Sequence, residues 1–331
     1  MKYAIALAGN IVVDTTKYIP AYPGKLELTP ILGMARSMGG AVPNVGIGLA
    51  KLDGSLPLAA LGFVGEDENG DYALKTLSGY PSIDISRIGR SGITSFTDVM
   101  TVKDTGERTF FTYKGADSLI TPETLPRADA EILHIGYALL LDGLDAPDPE
   151  YGTGMARVLA SARKDGAAIS LDVVSENSDR YTRIVPPALK YTDYFSVNEI
   201  EAERITGVTL VRGGQLIRGH LHEALTVLRR MGVAEWAVIH TPELSCGLDR
   251  LGRFHEKETL RLPKGFIKGS VGAGDAFTAG LLLMARQKAD LDQALELANA
   301  AAAMSLSQPG ATEGVRSLQE TMIFAEEMKE R

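Results

Sequence analysis

Near its C-terminus the chain reads Lys268-Gly269-Ser270-Val271-Gly272-Ala273-Gly274-Asp275-Ala276-Phe277-Thr278-Ala279-Gly280. Two glycines bracket an alanine, a carboxylate follows at once, and an apolar run begins behind it. A loop so poor in side chains lets a ligand approach bare backbone. The run from Ala276 through Leu281, Leu282 and Leu283 to Arg286 reads as a buried helix. Free N–H groups at its start would face the loop and favour an anion. Asp275 stands at that end, a placement that suits a base working beside a phosphate better than a phosphate ligand. The same pattern also describes an ordinary glycine turn whose aspartate complements the helix dipole. The rest of the chain has to decide between them.

Other residues of interest are spread along the chain. Asp14 follows the apolar run 3–9, near the C-terminal end of a first strand, where ligands gather in open α/β sheets. A turn residue is the other reading of Asp14. Gly39-Gly40 opens a second helix, with Asn44 the one polar side chain near its start. An amide donates and accepts together, which suits a sugar hydroxyl as well as a helix-terminal bond. Arg108 and Lys114 flank a hairpin and read equally as surface charges. Asn198 and Glu201 begin a helix that Gly207 ends, which a cap and a first-turn acid explain fully. Asn299 lies among Ala298, Ala300, Ala301, Ala302 and Ala303, a face that either admits a flat ring or packs tightly on its neighbours.

Composition limits the functions available. With 331 residues, the expectation is one large α/β unit with an appendage, or two domains. The net charge of −8 and the lack of a Lys/Arg block disfavour a nucleic-acid partner. No apolar run is long enough to span a bilayer, and the N-terminus reads as a strand rather than a signal peptide. Cys246, the single cysteine, permits no intrachain disulfide and fits a reducing, cytoplasmic setting as a small buried hydrophobe. His220 and His222 are two apart and open a helix to Met231 rather than a metal site.

Strand and helix signals alternate through most of the chain, which predicts a parallel sheet covered on both faces. The exception is 94–102 and 107–113, two Thr/Val/aromatic runs around Lys103-Asp104-Thr105-Gly106. This is the one strong hairpin signal, and it is assigned to an appendage. Residues 16–38 carry prolines and show no helical period, and Arg250–Leu262 reads as irregular or hairpin-like.

Taken together, Gly39-Gly40 with Asn44, Gly62–Gly70, Asn198-x-x-Glu201, Gly272-Ala273-Gly274-Asp275 and Asn299 resemble, in order and spacing, the ribokinase-like (PfkB-type) carbohydrate kinases. Gly106-Glu107-Arg108 and Gly115-Ala116-Asp117 are similar to that family's lid region, and the likeness spans the whole chain. It implies one domain, 1–331, with a three-layer α/β/α fold, a mainly parallel sheet, and a small β-sheet lid from about 15–37 and 94–114. It implies ATP and Mg²⁺, with Asp275 as base and Gly272, Ala273 and Gly274 as the anion hole. Asp14, Gly39, Gly40, Asn44 and Arg108 would meet the sugar. Asn198, Thr241 and Asn299 would serve the nucleotide side, and Glu201 would reach Mg²⁺ through water. A homodimer through the lid is also implied. Gly269 stands where the family carries an aspartate, which argues against a monovalent-cation site, and Pro242-Glu243-Leu244-Ser245 replaces a glycine loop that lines the nucleotide.

The leading expectation is therefore an ATP-dependent sugar kinase. A nucleoside kinase of the same fold and a non-catalytic sugar- or nucleotide-binding regulator are the alternatives. A dehydrogenase is disfavoured, since no Gly-x-Gly-x-x-Gly follows the first strand.

Overall fold

The computed structural model describes residues 2–330. Its main sheet has ten strands. From one edge they run Phe254–Glu258, Leu244–Leu248, Trp236–His240, Tyr194–Asn198, Ala168–Val173, Ala130–Ala138, Tyr3–Gly9, Leu58–Val64 and Ile83–Asp84, with Ile88–Arg90 also paired to Leu58–Val64. Pairing is parallel from Trp236–His240 onward and antiparallel for the two strands at the first edge.

Both faces are covered, which is why Ala4 to Ala8 are apolar without alternation. Ile5 and Leu7 point to one side, where they share a core with helices Ala41–Leu52, Ala273–Arg286 and Leu291–Ser305. Ala6 and Ala8 point to the other, toward helices Gly154–Lys164, Tyr181–Leu189, Glu199–Thr206 and Leu221–Met231. Each fully buried Ile or Leu contributes roughly 1.5–3 kcal/mol. The helices that carry the glycine loop and Asn299 touch backbone to backbone: a Cβ on Gly280 would stand 2.8 Å from Ala298 Cα. Part of the alanine face around Asn299 is thus taken by helix packing.

A separate four-stranded sheet has the order Gly33–Gly39, Val12–Ile19, Ser95–Val102, Arg108–Tyr113. Its root lies at the C-terminal end of strand Tyr3–Gly9, because Val12 follows Gly9 after only Asn10 and Ile11. Asp67 fastens this root. It caps helix Glu68–Ser78 by accepting from Gly70 N at 2.8 Å, and it accepts from Thr94 N at 2.9 Å and from the Thr94 hydroxyl. That joint accounts for the Gly62–Gly70 run, since a Cβ on Gly65 would stand 2.3 Å from Thr94 N.

Residues 16–38, which show no helical period, hold the end of one strand and nearly all of another, both in the small sheet. The edge after Thr241 holds a strand that the sequence reading does not include. Leu244–Leu248 is a strand despite the Pro242-Glu243 before it, so Leu244–Leu248 and Phe254–Glu258 make a second antiparallel hairpin, this one inside the main sheet. No helix among the described residues is long and apolar enough to cross a membrane.

Candidate active site

Asp275 occupies the first turn of Ala273–Arg286 and is 9% exposed. Gly272 precedes that helix with φ 77°, a left-handed conformation that glycine adopts at no steric cost. A Cβ there would also lie 2.5 Å from the Ala311 carbonyl oxygen. This turn ends the loop so that the N–H groups of Gly274 and Asp275 find no backbone acceptor among the described residues. The helix start thus offers unpaired donors beside a buried carboxylate, the arrangement expected of an anion site.

The carboxylate is held at both oxygens. Asn44 Nδ2 donates to Oδ2 at 3.0 Å, and the Tyr137 hydroxyl donates to Oδ1 at 2.6 Å. Burial raises the Asp275 carboxyl to about 6, against the lowering pull of these two bonds. Asn44 lies in helix Ala41–Leu52, whose start is set by Gly40 at φ 91°. Its Oδ1 is buried without a partner, an acceptor left open next to the carboxylate.

Two further carboxylates are largely buried, Asp14 in the small sheet close to its root and Asp172 near the end of a main-sheet strand. Asp14 is raised to about 6 by burial, offset in part by the Thr97 hydroxyl. It lies against Gly39, where a Cβ would come within 2.3 Å of its Oδ2. Asp172 ends strand Ala168–Val173, its Cβ 3.1 Å from where a Cβ on Gly136 would stand, beside Tyr137. Burial, then Asp275 and Glu201, push the Asp172 carboxyl well above its usual range. No arginine or lysine figures among the groups acting on any of these three carboxylates.

Asn198 and Glu201 form a complete capping box: Glu201 N donates to Asn198 Oδ1 at 2.9 Å, and Asn198 N donates to Glu201 Oε2 at 3.0 Å. The other Glu201 oxygen accepts from the Ser175 hydroxyl at 2.6 Å, and burial raises its carboxyl. Glu201 is therefore oriented by its own helix start, at 6% exposure. Each Glu201 oxygen accepts one hydrogen bond, which fixes the carboxylate and leaves a lone pair on each oxygen.

The remaining candidates stand elsewhere. Thr241 closes the turn into Leu244–Leu248, its hydroxyl donating to Leu244 O at 3.0 Å and accepting from Leu244 N at 3.0 Å. Asn299 is buried and donates to Glu258 O at 3.4 Å, on the edge-hairpin side of the sheet. Arg108 is exposed at the turn end of its strand, opposite Thr101. Thr112 shares the row of Thr97 and Asp14, so Arg108 lies four residues, roughly 13 Å, from that row at ~3.3 Å per residue. It is not brought to Asp14. Gly269 has a plain reason: a Cβ would stand 2.7 Å from the Pro309 carbonyl oxygen, so backbone fills the place of the expected aspartate. Tyr137 and His240 are site residues that sequence reasoning did not single out. His240 lies 3.7 Å from the place of a Gly274 Cβ, and burial lowers it to about 4, so its ring is neutral.

The family model for pfkB family carbohydrate kinases matches residues 9–318. The ribokinase of Haemophilus influenzae is 23% identical, over 98% of this chain and 99% of its own. The structure of Arabidopsis thaliana ribokinase complexed with ribose and ATP is similar with a TM-score of 0.81 at 20% identity, covering 98% of this chain and 99% of that one. The nucleoside kinase of Methanocaldococcus jannaschii gives 0.75 at 19% identity, over 98% and 99%. These likenesses establish the ribokinase-like fold, and the family match covers nearly the whole chain. The protein is thus a phosphotransferase acting on hydroxyl groups, of the sugar or nucleoside kinase type, and the chain belongs to the pfkB family of carbohydrate kinases.

Proposed function

We propose that this chain transfers the γ-phosphate of ATP to a hydroxyl of a small uncharged sugar, with Asp275 as general base. The observation that carries this reading is the buried Asp275 carboxylate, held at both oxygens, next to unpaired amides at a helix start. Asp275 takes the proton of the acceptor hydroxyl as that oxygen attacks phosphorus. The amides of Gly274 and Asp275, with the bare loop from Gly272 and Ala273, receive the phosphoryl oxygens, whose charge is the main thing to stabilise in such a transfer. Mg²⁺, when bound with the nucleotide, would neutralise phosphate charge, held through water by Glu201 and Asn198. Thr241 and Asn299 flank the nucleotide side in this reading, without direct base contacts required of them. Asp14, Gly39, Gly40 and the open Asn44 Oδ1 meet the sugar.

The charge of the site favours an uncharged acceptor. No cation acts on Asp14 or Asp275, so a carboxylate or phosphate on the acceptor would meet these carboxylates in a buried setting without a compensating charge. Two loop cations are engaged by other acids: Lys114 pairs with Asp142, and Arg180 with Glu176 at 2.5 Å. A coupled ADP-release assay across ribose, fructose, nucleosides and 2-keto-3-deoxygluconate tests this. The expected result is acceptor-dependent ADP release with a neutral sugar, at a kcat/KM at least ~10-fold above that for the sugar acid. Absence of acceptor-dependent release across the panel would instead support a binding regulator, and preference for a nucleoside the alternative kinase.

Pairing of two copies through the small sheet belongs to the same proposal. Leu28, Met34, Phe110, Phe111 and Tyr113 are exposed on or beside it, an unusual concentration of large apolar side chains for a free surface. Light scattering is expected to give twice the chain mass. Phe111→Asp should return a monomer, and a monomeric wild type would end the idea.

A further inference from the structure

Tyr137 lies in none of the motifs that led to the site, yet its hydroxyl makes the shorter of the two bonds to Asp275, 2.6 Å against 3.0 Å from Asn44. Its backbone is held as firmly as its ring. Tyr137 N donates to Asn10 Oδ1 at 2.7 Å, and Asn10 N donates to Gly136 O at 3.0 Å. Asn10 Nδ2 in turn donates to Asp117 Oδ2 at 3.1 Å, while Ile11 N donates to Asp117 Oδ1 at 3.2 Å. Asp117 N donates to the Ser95 hydroxyl oxygen at 2.9 Å. Asn10, Ser95 and Asp117 are each at most 4% exposed. All three stand at the root of the small sheet, before Val12, at the first residue of Ser95–Val102 and just after Tyr113.

A hydrogen-bonded chain therefore runs from that root through Asp117 and Asn10 to Tyr137, and from its phenol to the carboxylate. We propose that Tyr137 is the positioning residue for the base: it fixes the Asp275 carboxylate plane opposite Asn44, and Asn10 and Asp117 tie that hold to the root of the small sheet. The inference rests on the reading of Asp275 as the base. With one donor on each oxygen, each still has a lone pair for the acceptor hydroxyl, so the base is oriented without being blocked. The phenol stays a donor throughout the working range, since burial, Asp275 and Asp172 all push its ionisation well above normal. The groups facing Asp275 are few. Asn44 comes from its helix, Tyr137 and Asp172 from neighbouring strands, and neutral His240 from the strand beneath Gly274.

Tyr137→Phe removes one hydroxyl and keeps the ring. It is expected to lower kcat by about 10–100-fold with the acceptor KM changed far less, since a bond that orients the base acts on the chemical step. Loss of a bond that favours the ionised carboxylate should also move the acid limb of kcat/KM upward, by about one pH unit. Incorporating 3-fluorotyrosine at 137 keeps the hydroxyl, makes it a stronger donor, and should move the limb downward. This variant decides the matter if the phenylalanine variant is too slow for a profile or does not fold. A merely structural phenol would move neither limb, and unmoved limbs, or shifts of the same sign in both variants, overturn the proposal. If Asp275→Asn is inactive while those limbs stay put, only the role of Tyr137 fails. If Asp275→Asn retains turnover, the base reading fails and this inference with it.

Discussion

Asparagine in place of Asp275 is expected to lower kcat by about a hundred- to ten-thousand-fold, the range for losing a general base, while ATP still binds. The substitution keeps the size of the side chain and its reach to the Tyr137 hydroxyl and Asn44, so the fold has little reason to change. It removes the one group positioned to take the acceptor's proton. Nucleotide affinity should survive because the proposed phosphate contacts are backbone amides of the helix start, which the substitution leaves in place. The wild-type enzyme supplies a second readout. Burial raises Asp275 to about 6, so its kcat/KM should fall as pH drops through that value, because the protonated carboxyl cannot accept a proton. Steady-state rates between pH 5 and 9, with calorimetric titration of ATP into the variant, check both. Turnover within a factor of about three of wild type in Asp275→Asn would remove Asp275 from the mechanism.

Which parts of this site could be seen in the sequence follows from the range of each signal. The Gly272–Asp275 loop was legible because glycine, carboxylate and helix start are adjacent, and the structure has the helix from Ala273. The Asn198–Glu201 cap was legible for the same reason, three residues apart on one turn. The meeting of Asn44 with Asp275 joins residues 231 apart and depends on two helices packing against the same strands, so only the family likeness suggested it. Tyr137 gave no signal at all. A tyrosine near a strand end is an ordinary strand residue until the strand's neighbours are known, and its partner is 138 residues away. Asp172 lies near the end of its strand, and nothing local in the sequence marks its closeness to Asp275. The edge hairpin was left open between an irregular and a hairpin-like reading for a chemical reason. Its outer strand, Phe254-His255-Glu256-Lys257-Glu258, is mostly charged because it is half exposed at an edge, so it lacks the apolar run that marked the buried strands. Arg108 shows the converse. A charged residue after a hairpin turn looks like a substrate ligand in sequence, whereas strand direction carries it to the far end of the small sheet.

Gly272→Ala should damage the enzyme by a different route and nearly as much, lowering kcat by about 10²–10³-fold, the cost of displacing oxyanion-type donors. Two independent features oppose any side chain at this position. The backbone is left-handed at φ 77°, which costs an alanine roughly 1–2 kcal/mol. The added Cβ would also lie 2.5 Å from the Ala311 carbonyl oxygen and 2.6 Å from its Cα, and both are backbone atoms that cannot rotate away. The loop therefore has to shift, and the N–H groups of Gly274 and Asp275 move with it. Gly274→Ala is the informative comparison. At 274 the nearest atom to an added Cβ is the His240 ring at 3.7 Å, an ordinary contact, so folding should be unaffected. Its methyl would instead narrow the approach to the amides, raising the ATP KM more than it lowers thermal stability. Thermal unfolding should thus separate the pair, with Gly272→Ala melting lower and Gly274→Ala near wild type, while both lose turnover. If Gly272→Ala keeps wild-type kcat, the left-handed turn does not set the donors' aim, and the anion site must lie elsewhere on the loop.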